Sequence, residues 1–237
     1  GLGGLECGYI LAKNGYKVCI LEQAPVLGGC LQTFKRRGTN FDTGFHYIGA
    51  LGEGQSLRQI FDYFNLMHLP WQQLDKECFD EVVIGEESFP FTNGRKEFVA
   101  RLAEYFPKEK DNLKRYIQVL KGVGDNIFNS LKPREAAEFY QSMPFTTSAK
   151  SFLEETITDP KLRMVLAGTS LKMELHPNLP LYIFAQINDS FIQSAWRIKG
   201  GGQQIADSLA KDIENMQGIV RCNAKVTELK EEEGKIR

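Results

Sequence analysis

The sequence predicts an α/β protein that opens on a Rossmann-like nucleotide unit and continues into a mostly helical region. Three observations carry this. A glycine-rich start, Gly1-Leu-Gly-Gly-Leu, runs directly into a helix-periodic stretch and then an apolar strand ending in Glu22. Near the other end, a second glycine run, Gly200-Gly-Gly202, is followed by a helical pattern to Gln217 and by β-rich residues. Between them, apolar residues recur at helical spacing, with breaks at Pro107, Pro144, Pro160 and Pro177.

The opening fits a G-x-G-x-x-G fingerprint whose first glycine lies just upstream, so the unit reads as a βαβ without its front strand. Gly1 is then the glycine that lets backbone approach a pyrophosphate, and Gly4 the one where helix packs on strand, with Gly3 between them. Leu5, Tyr9, Ile10 and Ala12 form the expected helix stripe, and Gly15 suits the left-handed residue that ends a helix. Tyr16 to Leu21 is predicted to be a buried strand. Glu22 follows Gly4 by eighteen residues, near the roughly 20 expected of a carboxylate that takes ribose hydroxyls. An acid there disfavours a 2′-phosphate, which argues against NADP at this site.

Beyond the double glycine Gly28-Gly29 comes a basic turn, Lys35-Arg-Arg-Gly38, and then Phe41-Asp-Thr-Gly-Phe-His-Tyr-Ile-Gly49. Ser56 is placed to cap a helix carrying Leu57, Ile60, Phe61 and Phe64. Phe79 to Ile84 and Ser88 to Phe91, split at Gly85, predict a hairpin. Asn93-Gly94 turns the chain into a helix bearing Phe98, Val99, Leu102 and Phe106, and Leu113, Ile117, Leu120 and Ile127 mark a longer one. From Pro133 to Ser194 the pattern is helical and rich in Phe139, Tyr140, Met143, Phe145, Met164, Met173, Tyr182, Phe184 and Phe191. Flexible Met and flat aromatics suit the wall of an apolar pocket; the plainer alternative is a helical core. Tyr140 to Phe145 is the stretch that could touch a membrane surface, although no basic amphipathic face accompanies it.

Four of these pieces together resemble the FAD-dependent oxidoreductases that act on polyenes. These are the phytoene desaturases, the carotenoid isomerases and the all-trans-retinol 13,14-reductase (retinol saturase) group. The pieces are G-L-G-G-L, the strand ending L-E-Q, G-G-C-x-x-T-F and F-D-T-G-F-H-Y-I-G, joined by Trp196-Arg-Ile-Lys-Gly-Gly-Gly-Gln-Gln near the end. The resemblance implies an FAD domain built from residues 1–70 and 195–237, incomplete at both ends, around a substrate domain at 71–194. It implies that Gly1, Gly3, Gly4, Glu22, Gly28 and Gly29 bind FAD and that a strand carrying Val226 lies beside the adenine. Cys30 stands where amine-oxidase relatives carry Arg, which leaves Arg36 or Arg37 as the nearest cations for the pyrophosphate. The implied activity is oxidation or reduction of CH–CH or C=C bonds in an apolar carotenoid- or retinoid-like substrate. Two alternatives stay open: a redox-neutral cis–trans isomerase of the same fold, and a nucleotide-binding piece without activity of its own.

Composition limits other classes. With 29 basic and 30 acidic residues in 237, the formal charge is −1, and no basic stripe invites nucleic acid. Five scattered cysteines show no metal spacing and read as reduced intracellular thiols, so the expected compartment is the cytoplasm, with membrane association as an option. Of three histidines, His68 and His176 stand near prolines in expected loops. His46 lies four residues past Asp42, itself expected to tie down its loop, and His46 or Tyr47 is the candidate proton donor that saturation of a double bond would need. No metal site is expected, and the sequence is silent on oligomeric state.

Overall fold

The structure is a computed structural model that describes residues 1–130, 143–169 and 176–236. The expectations attached to Phe139, Tyr140 and Met173, and to the side chains of Met143 and Phe145, lie outside the described residues.

In chain order the elements are α1 (Leu2–Lys13), β1 (Cys19–Leu21), a 3₁₀ turn (Gly29–Leu31), β2 (Thr33–Arg36), β3 (Thr39–Asp42), β4 (Ile48–Gly49) and α2 (Ser56–Tyr63). There follow β5 (Trp71–Gln73), β6 (Asp80–Ile84), β7 (Glu87–Phe91), α3 (Arg95–Tyr105), a turn at Pro107–Glu109 and α4 (Lys110–Gly124). Single turns at Ile127–Ser130 and Met143–Thr146 precede α5 (Ala149–Thr156), α6 (Pro160–Ala167) and α7 (Leu181–Gln193). The chain closes with β8 (Ala195–Ile198), α8 (Gln203–Asn215), β9 (Ile219–Arg221) and the short ladder β10 (Glu231–Glu232) and β11 (Lys235–Ile236). The chain divides into one unit of residues 1–46, 60–71 and 198–237 and a second of 47–59 and 72–197.

The first unit is the Rossmann-like one. Helix α1 buries Leu5, Gly8, Tyr9 and Ala12, an i, i+3, i+4, i+7 stripe. Ile10, expected on that stripe, falls beside it and is exposed. Gly15 takes φ +83°, the left-handed geometry expected just past a helix end. β1 pairs in parallel with β9, Ile20 opposite Val220. Ile20 turns toward α1, where a Cβ on Gly8 would come within 2.5 Å of its Cδ1.

Two expectations fail here. The strand is three residues long rather than six, and it is not buried: Cys19 and Leu21 are exposed. β1 is hydrogen-bonded to one neighbour only among the described residues, and its outward residues meet solvent. The second expected strand, Lys225 to Leu229, is extended chain without a ladder.

The second unit is organised around a continuous apolar core. The β6–β7 hairpin turns at Gly85, φ +63°, and sets Phe89 and Phe91 against Phe98 of α3 and Phe106. α4 lies against α3 and α7, burying Leu113, Tyr116, Ile117 and Leu120 beside Phe184. Inside this core sits Asp189, fully buried on α7. Arg95 grips it with Nε to Oδ1 at 2.8 Å and Nη2 to Oδ2 at 2.7 Å, while Gln193 donates to Oδ2 at 2.8 Å. A Cβ on Gly124 would sit 1.9 Å from Asp189 Oδ2, so only glycine lets α4 approach this ion pair.

Glu109 is a second buried acid, 3 % exposed. It accepts the backbone N–H groups of Thr158 at 3.1 Å and Asp159 at 2.7 Å, the Asn112 amide at 2.8 Å and the Thr158 hydroxyl. These bonds fix the corner between α5 and α6.

Candidate dinucleotide site

The first turn of a helix presents backbone N–H groups without intrahelical partners, which favours an anion. At α1 that turn is uncluttered: no acidic residue stands in it, and a Cβ added at Gly1, Gly3 or Gly4 would meet nothing within 4 Å. At Gly4 a Cβ would thus meet no strand residue within 4 Å among the described residues. Helix α1 packs on β1 through Gly8, a glycine inside a helix, which weakens the helix by about 1 kcal/mol unless packing needs the space.

The second glycine pair comes to the first. Gly28 (φ +104°) and Gly29 (φ +57°) open the 3₁₀ turn, and a Cβ on Gly29 would stand 3.3 Å from Gly1 Cα. On the other side, a Cβ on Gly28 would lie 3.0 Å from Ala206 Cβ on α8. Two stretches more than twenty residues apart are thus held at backbone contact, as a loop around a pyrophosphate requires.

Glu22 closes the crevice. Its Oε2 is 3.3 Å from the Gly1 nitrogen, and its Oε1 accepts the Ala24 N–H at 3.0 Å. The Ala24 N–H bond foremost holds this carboxyl below the usual glutamate range, so it is an acceptor at neutral pH. The chain after β9 runs alongside: Ala224 N–H donates to the Glu22 carbonyl at 2.9 Å, and Asn223 N–H to the Ala24 carbonyl at 3.1 Å. Val226, exposed, follows two residues later in that extended chain.

Asp42 ties its loop as expected, accepting the Gly202 N–H at 2.7 Å and so anchoring the base of the β2–β3 hairpin to the start of α8. The sequence reading quoted Gly200–Gly202 without giving it this job. Arg36 and Arg37 are not brought to the glycines. They occupy the hairpin tip, Arg36 opposite Thr39, about 10 Å of strand beyond Thr33.

The two proton-donor candidates separate in environment. His46 is exposed at the end of the first unit's opening segment. Tyr47 is packed against Phe191, centroids 4.6 Å apart, and donates its hydroxyl proton to Asp80 Oδ2 at 2.6 Å. Burial, followed by Asp80, pushes the Tyr47 phenol far above its usual value. Asp80 was not singled out from sequence; its role depends on a hairpin returning thirty-three residues later.

Residues 1–64 match the NAD(P)-binding Rossmann-like domain family. Over 251 aligned residues the chain is 32 % identical to the all-trans-retinol 13,14-reductase of Danio rerio, covering 97 % of this chain and 41 % of that protein. By sequence, this chain is similar to all-trans-retinol 13,14-reductases and, more distantly, to phytoene desaturases. Consistent with this, it is 23 % identical to the 4,4'-diapophytoene desaturase of Methylomonas sp, over 99 % of this chain and 48 % of that one. The chain thus spans under half the length of these curated relatives. A crystal structure of an oxidoreductase from Methanosarcina mazei shares the fold, with a TM-score of 0.66 and 19 % identity over 100 % of this chain and 52 % of that one. The nucleotide end therefore has the fold of a NAD(P)-binding Rossmann-like domain.

Proposed function

We propose that this chain supplies the FAD-gripping framework, and part of the substrate framework, of an oxidoreductase acting on CH–CH or C=C bonds of an apolar carotenoid- or retinoid-like polyene. The supporting observation is the meeting of Gly1, Gly29 and Glu22 in one crevice. These residues fit the group: the helix start is open where a pyrophosphate would lie, and a Cβ on Gly29, at φ +57°, would crowd Gly1 Cα at 3.3 Å. In this reading the first unit is the FAD domain and the second the substrate domain.

The N–H groups of the first turn of α1 and the Gly28-Gly29 backbone hold the diphosphate. Glu22 would accept from the adenosine ribose hydroxyls, and Val226 would lie beside the adenine. Arg36 and Arg37 contribute at most a distant positive field, because the hairpin carries them away from the glycines. FAD, when bound, supplies the hydride chemistry. The protein then has to exclude water and deliver one proton to the neighbouring carbon. Tyr47 is poorly suited to give up a proton that Asp80 already holds, so it orients by hydrogen bonding, and His46 is the donor.

Purified protein should carry flavin absorption. Incubated anaerobically with reduced flavin and a polyene, it should change the product mass by a hydrogen pair. Absence of flavin binding would refute the cofactor reading, and a product of unchanged mass would refute the oxidoreductase reading in favour of isomerisation.

A further inference from the structure

The second unit contains a groove of about 450 Å³ that the flavin reading does not use, within the roughly 300–1,000 Å³ of small-molecule sites. Ala149, Leu153, Pro160, Met164, Ala167 and Leu179 give it an apolar floor and walls.

Its shape is fixed by the surrounding backbone. Ser148 caps α5 by accepting the Ser151 N–H at 3.0 Å, and Asp159 caps α6 by accepting those of Lys161 and Leu162. The corner between these helices is tied by Glu109, and the segment before α7 is pinned where Ala149 N–H meets the Leu179 carbonyl at 2.8 Å. A groove between capped helices does not have to form when a ligand arrives, which lowers the entropy lost on binding.

Lys150, Glu154, Arg163 and His176 supply the polar part of the lining. Lys150 and Glu154 stand 3.9 Å apart and offset each other. Arg163 has no carboxylate within 4 Å among the described residues. His176 accepts the Asn178 N–H on Nδ1 at 3.1 Å, so the neutral ring carries its proton on Nε2 and can donate. An apolar trough bordered by a guanidinium with no carboxylate partner among the described residues and by an imidazole donor has the chemistry of a chain with an anionic head, since Arg meets a carboxylate with two parallel bonds.

We propose that this groove binds an amphiphile of the fatty-acid class, its hydrocarbon chain along Leu153 and Met164 and its carboxylate at Arg163 and His176. The assignment is independent of the FAD reading and can hold or fail without it.

Isothermal titration of the full chain with dodecanoate and with 1-dodecanol tests it, alongside Met164→Trp, which fills the groove from an exposed position, and Arg163→Gln. FAD titration of the same samples reports on the other site, and an unchanged Tm shows that each variant folds. The expected result is saturable one-to-one binding of dodecanoate, weakened at least tenfold by either substitution and at least tenfold tighter than that of the alcohol. No dodecanoate binding, an affinity unmoved by both substitutions, or equal affinity for alcohol and acid would each overturn the proposal.

Discussion

The two units of this chain hold together in different ways. The buried apolar cluster, from Phe79 to Ala195, belongs wholly to the second unit. Among the described residues, eleven of the sixteen exposed large apolar side chains belong to the first. The parallel pair β1–β9 is packed by helices on one face only, leaving Leu21 and Ile219 about half exposed on the other, whereas parallel sheets are ordinarily covered on both. The unit with the clearest chemical signature is thus the one with more exposed apolar surface among the described residues.

The sharpest way to break this comparison is to remove one partner of the second unit's buried ion pair. Arg95→Met leaves Asp189 charged inside the core and should cost about 3–5 kcal/mol in chemical denaturation. A loss near zero would mean that the network is ornamental to that unit's stability. Next, paired truncations compare the units directly. Leu120→Ala, in the second core, should lose about 2–5 kcal/mol, while Leu21→Ala should stay within about 0.5 kcal/mol. Similar losses at both positions would erase the distinction.

A smaller effect is expected at Glu109. Burial raises this carboxyl, but the bonds from Thr158, Asn112 and Asp159 outweigh it and hold the folded-state pKa below the ordinary 4.5. The unfolded chain therefore binds the proton more readily. The stabilisation is present above about pH 4.5 and is lost as pH falls through the lower folded value. Glu109→Gln should cost about 1–3 kcal/mol at neutral pH and flatten the acid limb of a stability profile. An unchanged acid limb would show that another group controls it.

The legible parts of the fold were those set by local rules. The β6–β7 hairpin followed from Gly85, α3 from Asn93-Gly94, and α4 from the spacing of Leu113, Ile117 and Leu120. The close approach of Gly28 and Gly29 to other segments of the chain was legible because such approach restricts residue type. What escaped depends on contacts distant in sequence. The burial of β1 was overestimated because an apolar run does not tell how many neighbours a strand has. Gly8, which packs α1 on β1, carried no expectation although a glycine inside a helix was visible. Arg36 and Arg37 were near in sequence to the glycines, and the hairpin register carried them off. Asp80 beneath Tyr47 and Gly202 bonding Asp42 needed the folded chain; Asp189, an acid within an apolar helix, was a signal available and unused.

The central claim is that the first glycines, the Gly28-Gly29 turn and Glu22 grip one dinucleotide. It is tested most directly by titrating FAD into the protein and its Glu22→Gln variant, following quenching of flavin fluorescence. Saturable quenching is predicted for the parent. The variant should bind about 10–100-fold more weakly, as loss of hydrogen bonds to a charged acceptor implies, with an unchanged melting temperature in the absence of FAD. Equal affinity of the two proteins, or no quenching by either, would contradict the account.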